Sequence, residues 1–243
     1  GELDEEALID EEDVAITLTH LGYVKRVPEN TYKAQKRGGK GIVGVTTRES
    51  DFVKDLIITS THDYLMFFTD MGRVYKIKAY EIPEGPRTAK GTPVINFLNL
   101  NQGERVTAVI PIKDFNTDEE LVMVTKMGTI KKTPLKEFDT NRKAGLIAIT
   151  LKDGDKLISV AQSTGDESVI VVTKQGKAIA FSEKDVRSMG RNAGGVRAIS
   201  LEGDDEVVSM ELDIDQTRKM LVITEKGFGK RTALEEYRLQ ARG

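Results

Sequence analysis

Thr19-His20-Leu21-Gly22 returns as Thr69-Asp70-Met71-Gly72, Thr125-Lys126-Met127-Gly128, Thr173-Lys174-Gln175-Gly176 and Thr224-Glu225-Lys226-Gly227. The five glycines stand 50, 56, 48 and 51 residues apart. A Thr-x-x-Gly turn with a period near fifty marks an array of blades or solenoid turns. In such an array, a residue at a fixed offset from the turn occupies the same place in every module.

Each turn closes a short apolar run, at residues 15–18, 65–68, 121–124, 169–172 and 220–223. Runs of this length, rich in β-branched residues, predict buried strands. Glycine lacks Cβ and so suits the left-handed residue that follows a type I turn, which makes each signature a short β-hairpin. The second strand, as at 23–27 or 128–133, is more polar. Two more strand-like runs fill each module. One follows a glycine-containing loop, at 42–46, 94–98, 146–151 and 196–201. The other leads into the next hairpin, at 56–60, 106–112, 157–161 and 207–212. The turn clusters Lys152-Asp153-Gly154-Asp155 and Glu202-Gly203-Asp204-Asp205 lie between them. Four strands per module is the content of a propeller blade. The predicted fold is all-β and propeller-like, with five modules of four-stranded blades spanning residues 14–243.

Residues 1–13 form an acidic leader with eight carboxylates and no basic side chain. The whole chain carries a net charge of −3; without the leader, 36 basic residues face 31 acidic ones, a net of +5. There is no cysteine, which excludes disulfides and thiolate metal sites and suits a reducing cytoplasm. No apolar run is long enough to span a bilayer as a helix.

Charge also repeats. Fifteen residues past the turn glycine stand Arg37, Arg87, Lys143, Arg191 and Arg242. Four past it stand Arg26, Lys76, Lys132 and Arg231, with Ala180 the exception; Lys25, Lys131 and Lys230 adjoin this row. Lys36, Lys40, Lys90 and Arg142 adjoin the first. Equal offsets predict a basic band on the outer rim. Such a band suits a duplex phosphate backbone and carries no base-reading pattern.

The loop Gln35-Lys36-Arg37-Gly38-Gly39-Lys40-Gly41 combines three glycines with three cations, so that backbone amides and side chains can both approach an anion. It lacks the spacing and the Ser or Thr of a Walker loop, which argues against ATP binding here. This heptad resembles the gyrase A box of the C-terminal domain of bacterial DNA gyrase A subunits. The likeness extends through Asp13-Val14 and Gly22-Tyr23-Val24-Lys25, Thr61-His62-Asp63, Gly72-Arg73-Val74-Tyr75 and Gly227-Phe228-Gly229-Lys230-Arg231-Thr232-Ala233.

The resemblance implies a β-pinwheel, a propeller-like disc whose adjacent blades exchange strands. It implies positive wrapping of duplex DNA around the basic rim, with residues 35–41 needed for wrapping. Negative supercoiling then falls to a holoenzyme that includes the catalytic core and a B subunit, where ATP and Mg are used. The domain itself is expected to be non-catalytic, without a cofactor or metal, and cytoplasmic. The family's disc has six blades against five signatures here, and Gln240-Ala241-Arg242-Gly243 echoes Gln35-Lys36-Arg37-Gly38. The chain is therefore expected to stop within a module.

Two rivals remain: the related topoisomerase IV A subunit, whose box is degenerate, and a protein-binding propeller scaffold. An enzyme is less well supported. His20 and His62 lack ligand spacing, and Asp153/Asp155 and Asp204/Asp205 read as turn residues.

Overall fold

A computed structural model of the protein describes residues 2–29, 51–142 and 144–213. In chain order the strands are β1 (Asp13–Thr19), β2 (Tyr23–Pro28), β3 (Val53–Ser60), β4 (Tyr64–Thr69) and β5 (Arg73–Lys78). They continue as β6 (Thr92–Pro93), β7 (Val106–Ile112), β8 (Glu120–Thr125), β9 (Thr129–Pro134) and β10 (Leu146–Ile147). The last are β11 (Leu157–Ser163), β12 (Ser168–Thr173), β13 (Ala178–Ser182), β14 (Val196–Arg197) and β15 (Val207–Asp213). Four of the predicted turns are seen as hairpin turns, each with a Gly N–H to Thr C=O bond of 3.0 or 3.1 Å and the glycine at positive φ. The fifth, at Thr224 to Gly227, lies outside the described residues.

Every sheet is built on one hairpin. The orders are β3-β1-β2-β6, β10-β5-β4-β7 and β11-β8-β9-β14, with β13-β12-β15 among the described residues of the fourth. The first hairpin strand sits in the interior of its sheet, and all four such strands are buried along nearly their whole length. A strand covered on both faces needs an unbroken apolar run, and each of these strands carries one.

The edge strands β6, β10 and β14 come from the module after the hairpin they pair with. Tyr23 faces Pro93, and Ile130 faces Val196. This is strand exchange between successive modules. These strands are only two residues long, shorter than the predicted runs at 94–98, 146–151 and 196–201. The chain leaves the ladder because Val94, Ala148 and Ala198 turn their N–H groups to the carbonyls of Gly22, Gly72 and Gly128 at 2.8–2.9 Å. The apolar side chains Val94, Leu98, Ala148, Ile149, Ala198 and Ile199 are core-forming, and Val94–Asn96 is a 3-10 turn. Their run reflects burial and not strand pairing. The predicted run at 42–46 lies outside the described residues.

The chain divides into two compact units. The first takes in Gly1–Phe67, Val74–Lys113 and Arg142–Leu146; the second takes in Phe68–Arg73, Asp114–Asn141 and Ile147–Gly243. In the first unit, Val14, Ile16, Leu18 and Val24 pack with Leu65, Phe67 and Tyr75. In the second, Val122, Val124 and Ile130 pack with Val169, Val171 and Phe181.

The acidic leader packs against the rest of the first unit. Glu2–Ala7 forms a short helix, α1. The leader docks on the Thr61-His62-Asp63 corner: Thr61 Oγ1 donates to Asp10 O at 2.7 Å, the Thr61 N–H donates to Glu12 O at 2.9 Å, and His62 Nε2 lies 2.8 Å from Ile9 O. Lys78 Nζ donates to Glu6 Oε1 at 3.4 Å.

Candidate nucleic-acid interface

The expected cations fall into two groups that the sequence did not distinguish. Those on the second hairpin strand turn inward. Lys25 is 3% exposed and donates through Nζ to Arg87 O at 2.5 Å and Ala89 O at 3.1 Å. Lys131 is fully buried; its Nζ donates to Ala148 O and Arg191 O at 2.5 Å, Gly190 O at 2.9 Å and Ala193 O at 3.2 Å. Lys132 donates to Glu183 O at 3.1 Å, with the carboxylates of Glu183 and Glu120 at 3.8 and 3.9 Å. Arg26 uses Nε on Ile82 O at 2.9 Å. Lys76 is buried, 5.7 Å from the Tyr64 ring centroid.

The expectation of a hairpin row on the outer rim is therefore corrected for Lys25, Lys76, Lys131 and Lys132. Arg26, half-buried, is likewise engaged by main-chain oxygen. Arg26 and Lys132 tie their hairpins to the 3-10 turn region of the next module, while Lys25 and Lys131 tie them to its glycine-containing loop. Parallel bridges join Arg26 to Glu84 and Lys132 to Ser188. Burial, aided by Arg87, lowers the pKa of Lys25. Burial and then Arg191 lower that of Lys131 to about 8, with Glu137 opposing.

The described cations of the glycine-containing loops keep at least part of their surface accessible. Arg87 and Lys90 are half-buried, and Lys90 Nζ lies 4.0 Å from the Tyr23 ring centroid, a cation–π contact. Arg142 is exposed and donates from Nε to Ala144 O at 3.2 Å. Arg191 is half-buried, like Arg26, and donates to Glu137 O and Ile147 O at 2.9 and 3.1 Å. The heptad Gln35, Lys36, Arg37, Gly38, Gly39, Lys40 and Gly41 lies outside the described residues, as do Lys143, Lys230, Arg231 and Arg242.

A repeating carboxylate, outside the sequence-based expectations, ties the lead-in strands to the turns. Asp51, Asp155 and Asp205 each stand two residues before the first residue of β3, β11 or β15. Each Oδ1 accepts the N–H of the residue before the turn glycine (Leu21, Met127 and Gln175) at 2.9 Å. In Asp51 and Asp205, burial raises the pKa, but the hydrogen bonds outweigh it and hold both carboxyls below the usual value. Fixed spacing of an aspartate ahead of three of the four described lead-in strands was the available signal. His20 stacks on Phe52 with ring centroids 4.8 Å apart. No cluster of three or more metal-ligating side chains occurs among the described residues, and none of their helices is long and apolar enough to cross a membrane.

The family model described as DNA gyrase C-terminal domain, beta-propeller, matches residues 13–60, 63–113, 119–164, 167–212 and 218–243. The chain belongs to this family. The five matched stretches follow the five turn signatures. The DNA gyrase A subunit of Clostridium acetobutylicum is 54% identical over 243 residues, covering 100% of this chain and 29% of that protein. Its Staphylococcus epidermidis counterpart is 46% identical over 244 residues, covering 100% of this chain and 27% of that protein. The chain thus spans less than a third of these relatives. Among solved structures, the C-terminal domain of a DNA topoisomerase IV is similar with TM-score 0.74 at 29% identity, covering 86% of this chain and 64% of that one. A DNA gyrase A C-terminal domain gives 0.64 at 29%, covering 85% and 67%. The all-β, propeller-like fold is that of these gyrase-family domains.

Proposed function

We propose that this domain binds duplex DNA without sequence preference and wraps it with a positive crossing, serving ATP-dependent negative supercoiling by a gyrase holoenzyme in the bacterial cytoplasm. Its partners in this reading are duplex DNA, the gyrase A catalytic core and the B subunit. The domain's part is non-catalytic and uses no cofactor.

The observation that carries the reading is a cationic loop constructed twice at matching offsets. The loop bearing Arg87 and Lys90 and the loop bearing Arg191 are each folded over a buried lysine of the preceding hairpin, and their basic side chains remain partly accessible. Family membership supplies the ligand class. Bending DNA through a large angle costs roughly 1–6 kcal/mol per 20–30 base pairs, which phosphate contacts accumulated from loop to loop can offset. Arg37, Lys143 and Arg242, which share the sequence offset of Arg87 and Arg191, belong to the same reading.

The deciding experiment ligates nicked circular DNA in the presence of the chain and measures the linking number after the protein is stripped. A positive shift that grows with dose is expected. Salt-sensitive binding without a shift would reduce the role to gripping and would favour the alternative, a topoisomerase IV A-subunit pinwheel, to which the fold is also similar. Absence of binding would return a protein-binding scaffold to first place.

A further inference from the structure

Lys25 and Lys131 occupy the same offset, three residues past the turn glycine, in the first and third hairpins. Both are strand residues with buried side chains. An ammonium out of water is tolerated only where its donors find acceptors. Here the acceptors include loop carbonyls of the following module: Arg87 and Ala89 for Lys25, and Gly190, Arg191 and Ala193 for Lys131. The loop is folded around the cation, its carbonyls turned in and its arginine side chain, unlike the lysine, only half-buried.

A glycine closes each loop against the same strand. A Cβ on Gly91 would stand 2.6 Å from Val24 O, and one on Gly195 would stand 2.5 Å from Ile130 O. The second hairpin has Tyr75 at the lysine position, and the following module's loop is shorter. Gly128 and Gly145 are 17 positions apart, whereas Gly72 to Gly91 and Gly176 to Gly195 are each 19. Among these loops, full length accompanies the buried lysine.

We propose that Lys25 and Lys131 are positioning residues of the DNA interface, each shaping the next module's loop around its ammonium so that Arg87 or Arg191 is presented to a phosphate. This rests on the DNA-binding reading above. The ammonium and the arginine feel each other: repulsion from Arg191 adds to burial in lowering the Lys131 pKa, and repulsion from Arg87 does the same for Lys25. A phosphate at the arginine relieves that repulsion. The lysine touches no DNA in this scheme, yet its loss removes a DNA contact.

The test is a double-mutant cycle on the full 243-residue chain, with Lys131→Met, Arg191→Gln and the pair. Each is titrated with linear duplex DNA over a range of salt and melted thermally. Lys131→Met should lower the slope of log affinity against log salt by about one unit, as Arg191→Gln does. The double variant should bind no more weakly than either single one. A Lys131→Met protein that melts lower but keeps the parental slope, or losses that multiply in the double variant, would overturn the inference by making Lys131 a stability residue alone. If Lys131→Met does not fold, Lys25→Met with Arg87→Gln carries the same cycle. A parent chain that fails to bind DNA sinks both this inference and the reading it rests on; a parent that binds alongside unaffected variants sinks only the inference.

Discussion

Asp63 is a buried carboxylate whose partners all favour its charge. Its Oδ2 accepts from the Thr59 hydroxyl at 2.6 Å and the Ser60 N–H at 2.9 Å, and Lys113 Nζ lies 3.3 Å away. Burial pushes its pKa up, but the Thr59, Ser60 and Lys113 interactions prevail and hold it below the usual value. A carboxyl with a depressed folded pKa contributes stability in full above the unfolded value, about 4, and loses it as pH falls through the folded value. Asp63→Asn should therefore cost roughly 1–3 kcal/mol at neutral pH. The gap between variant and parent, measured by urea unfolding, should narrow only below about pH 4; a gap constant down to pH 2 would contradict the assignment. Gly195 makes a contrasting case, since its constraint is steric: φ is +90° and a Cβ would meet backbone atoms, whereas Gly203 (φ +60°) has nothing within 4 Å. Gly203→Ala should cost about 1 kcal/mol from conformation alone. Gly195→Ala should exceed it by at least about 1 kcal/mol in the same assay, because the strand backbone must also move.

At the scale of the element, the hairpin turn is held by its threonine. Thr19, Thr125 and Thr173 each accept through Oγ1 the N–H of the residue after the turn glycine, at 3.0–3.1 Å. Thr125→Val keeps the shape and the β-branching but strands the Thr129 N–H. It should lower unfolding stability by roughly 1–3 kcal/mol, and Thr19→Val and Thr173→Val should match it if the modules are equivalent. Equal costs across all three would show that the repeat is one of energetics as well as spacing. The hairpins and lead-in strands were legible in the sequence because interior strands demand apolar runs and their turns demand glycine. The exchanged strands were not: two paired residues leave no period, and the apolar run beyond them serves the core. The candidate site was half legible. An enclosed ammonium and a partly accessible guanidinium are both simply cations in the sequence, so Lys131 and Arg191 look alike until the loop is seen folded around the first, with the second lying on its outside against Glu137 O and Ile147 O. Residues 35–41, the richest loop in the sequence, lie outside what the structure describes.

At the scale of the whole molecule, the net charge of −3 means that total charge repels DNA. If the chain binds a polyanion, placement must outweigh the sum, as local fields do when cations share one surface. Neutralising Arg87, Lys90, Arg142 and Arg191 to glutamine brings the net charge from −3 to −7. Doing the same to Lys136, Lys152, Lys174 and Lys184, which are exposed but lie off those loops, brings an identical change. A molecule that felt only its net charge would treat the two variants alike. If the loops carry the interface, the first variant should lose about 3–4 units of salt slope, close to 0.9 for each phosphate contact removed. The second should keep a slope near the parent's and suffer only a modest, long-range loss that disappears once salt shortens the screening length below about 10 Å. Equal slopes in the two variants would remove the loops from the interface and with them the path proposed for the wrapped duplex.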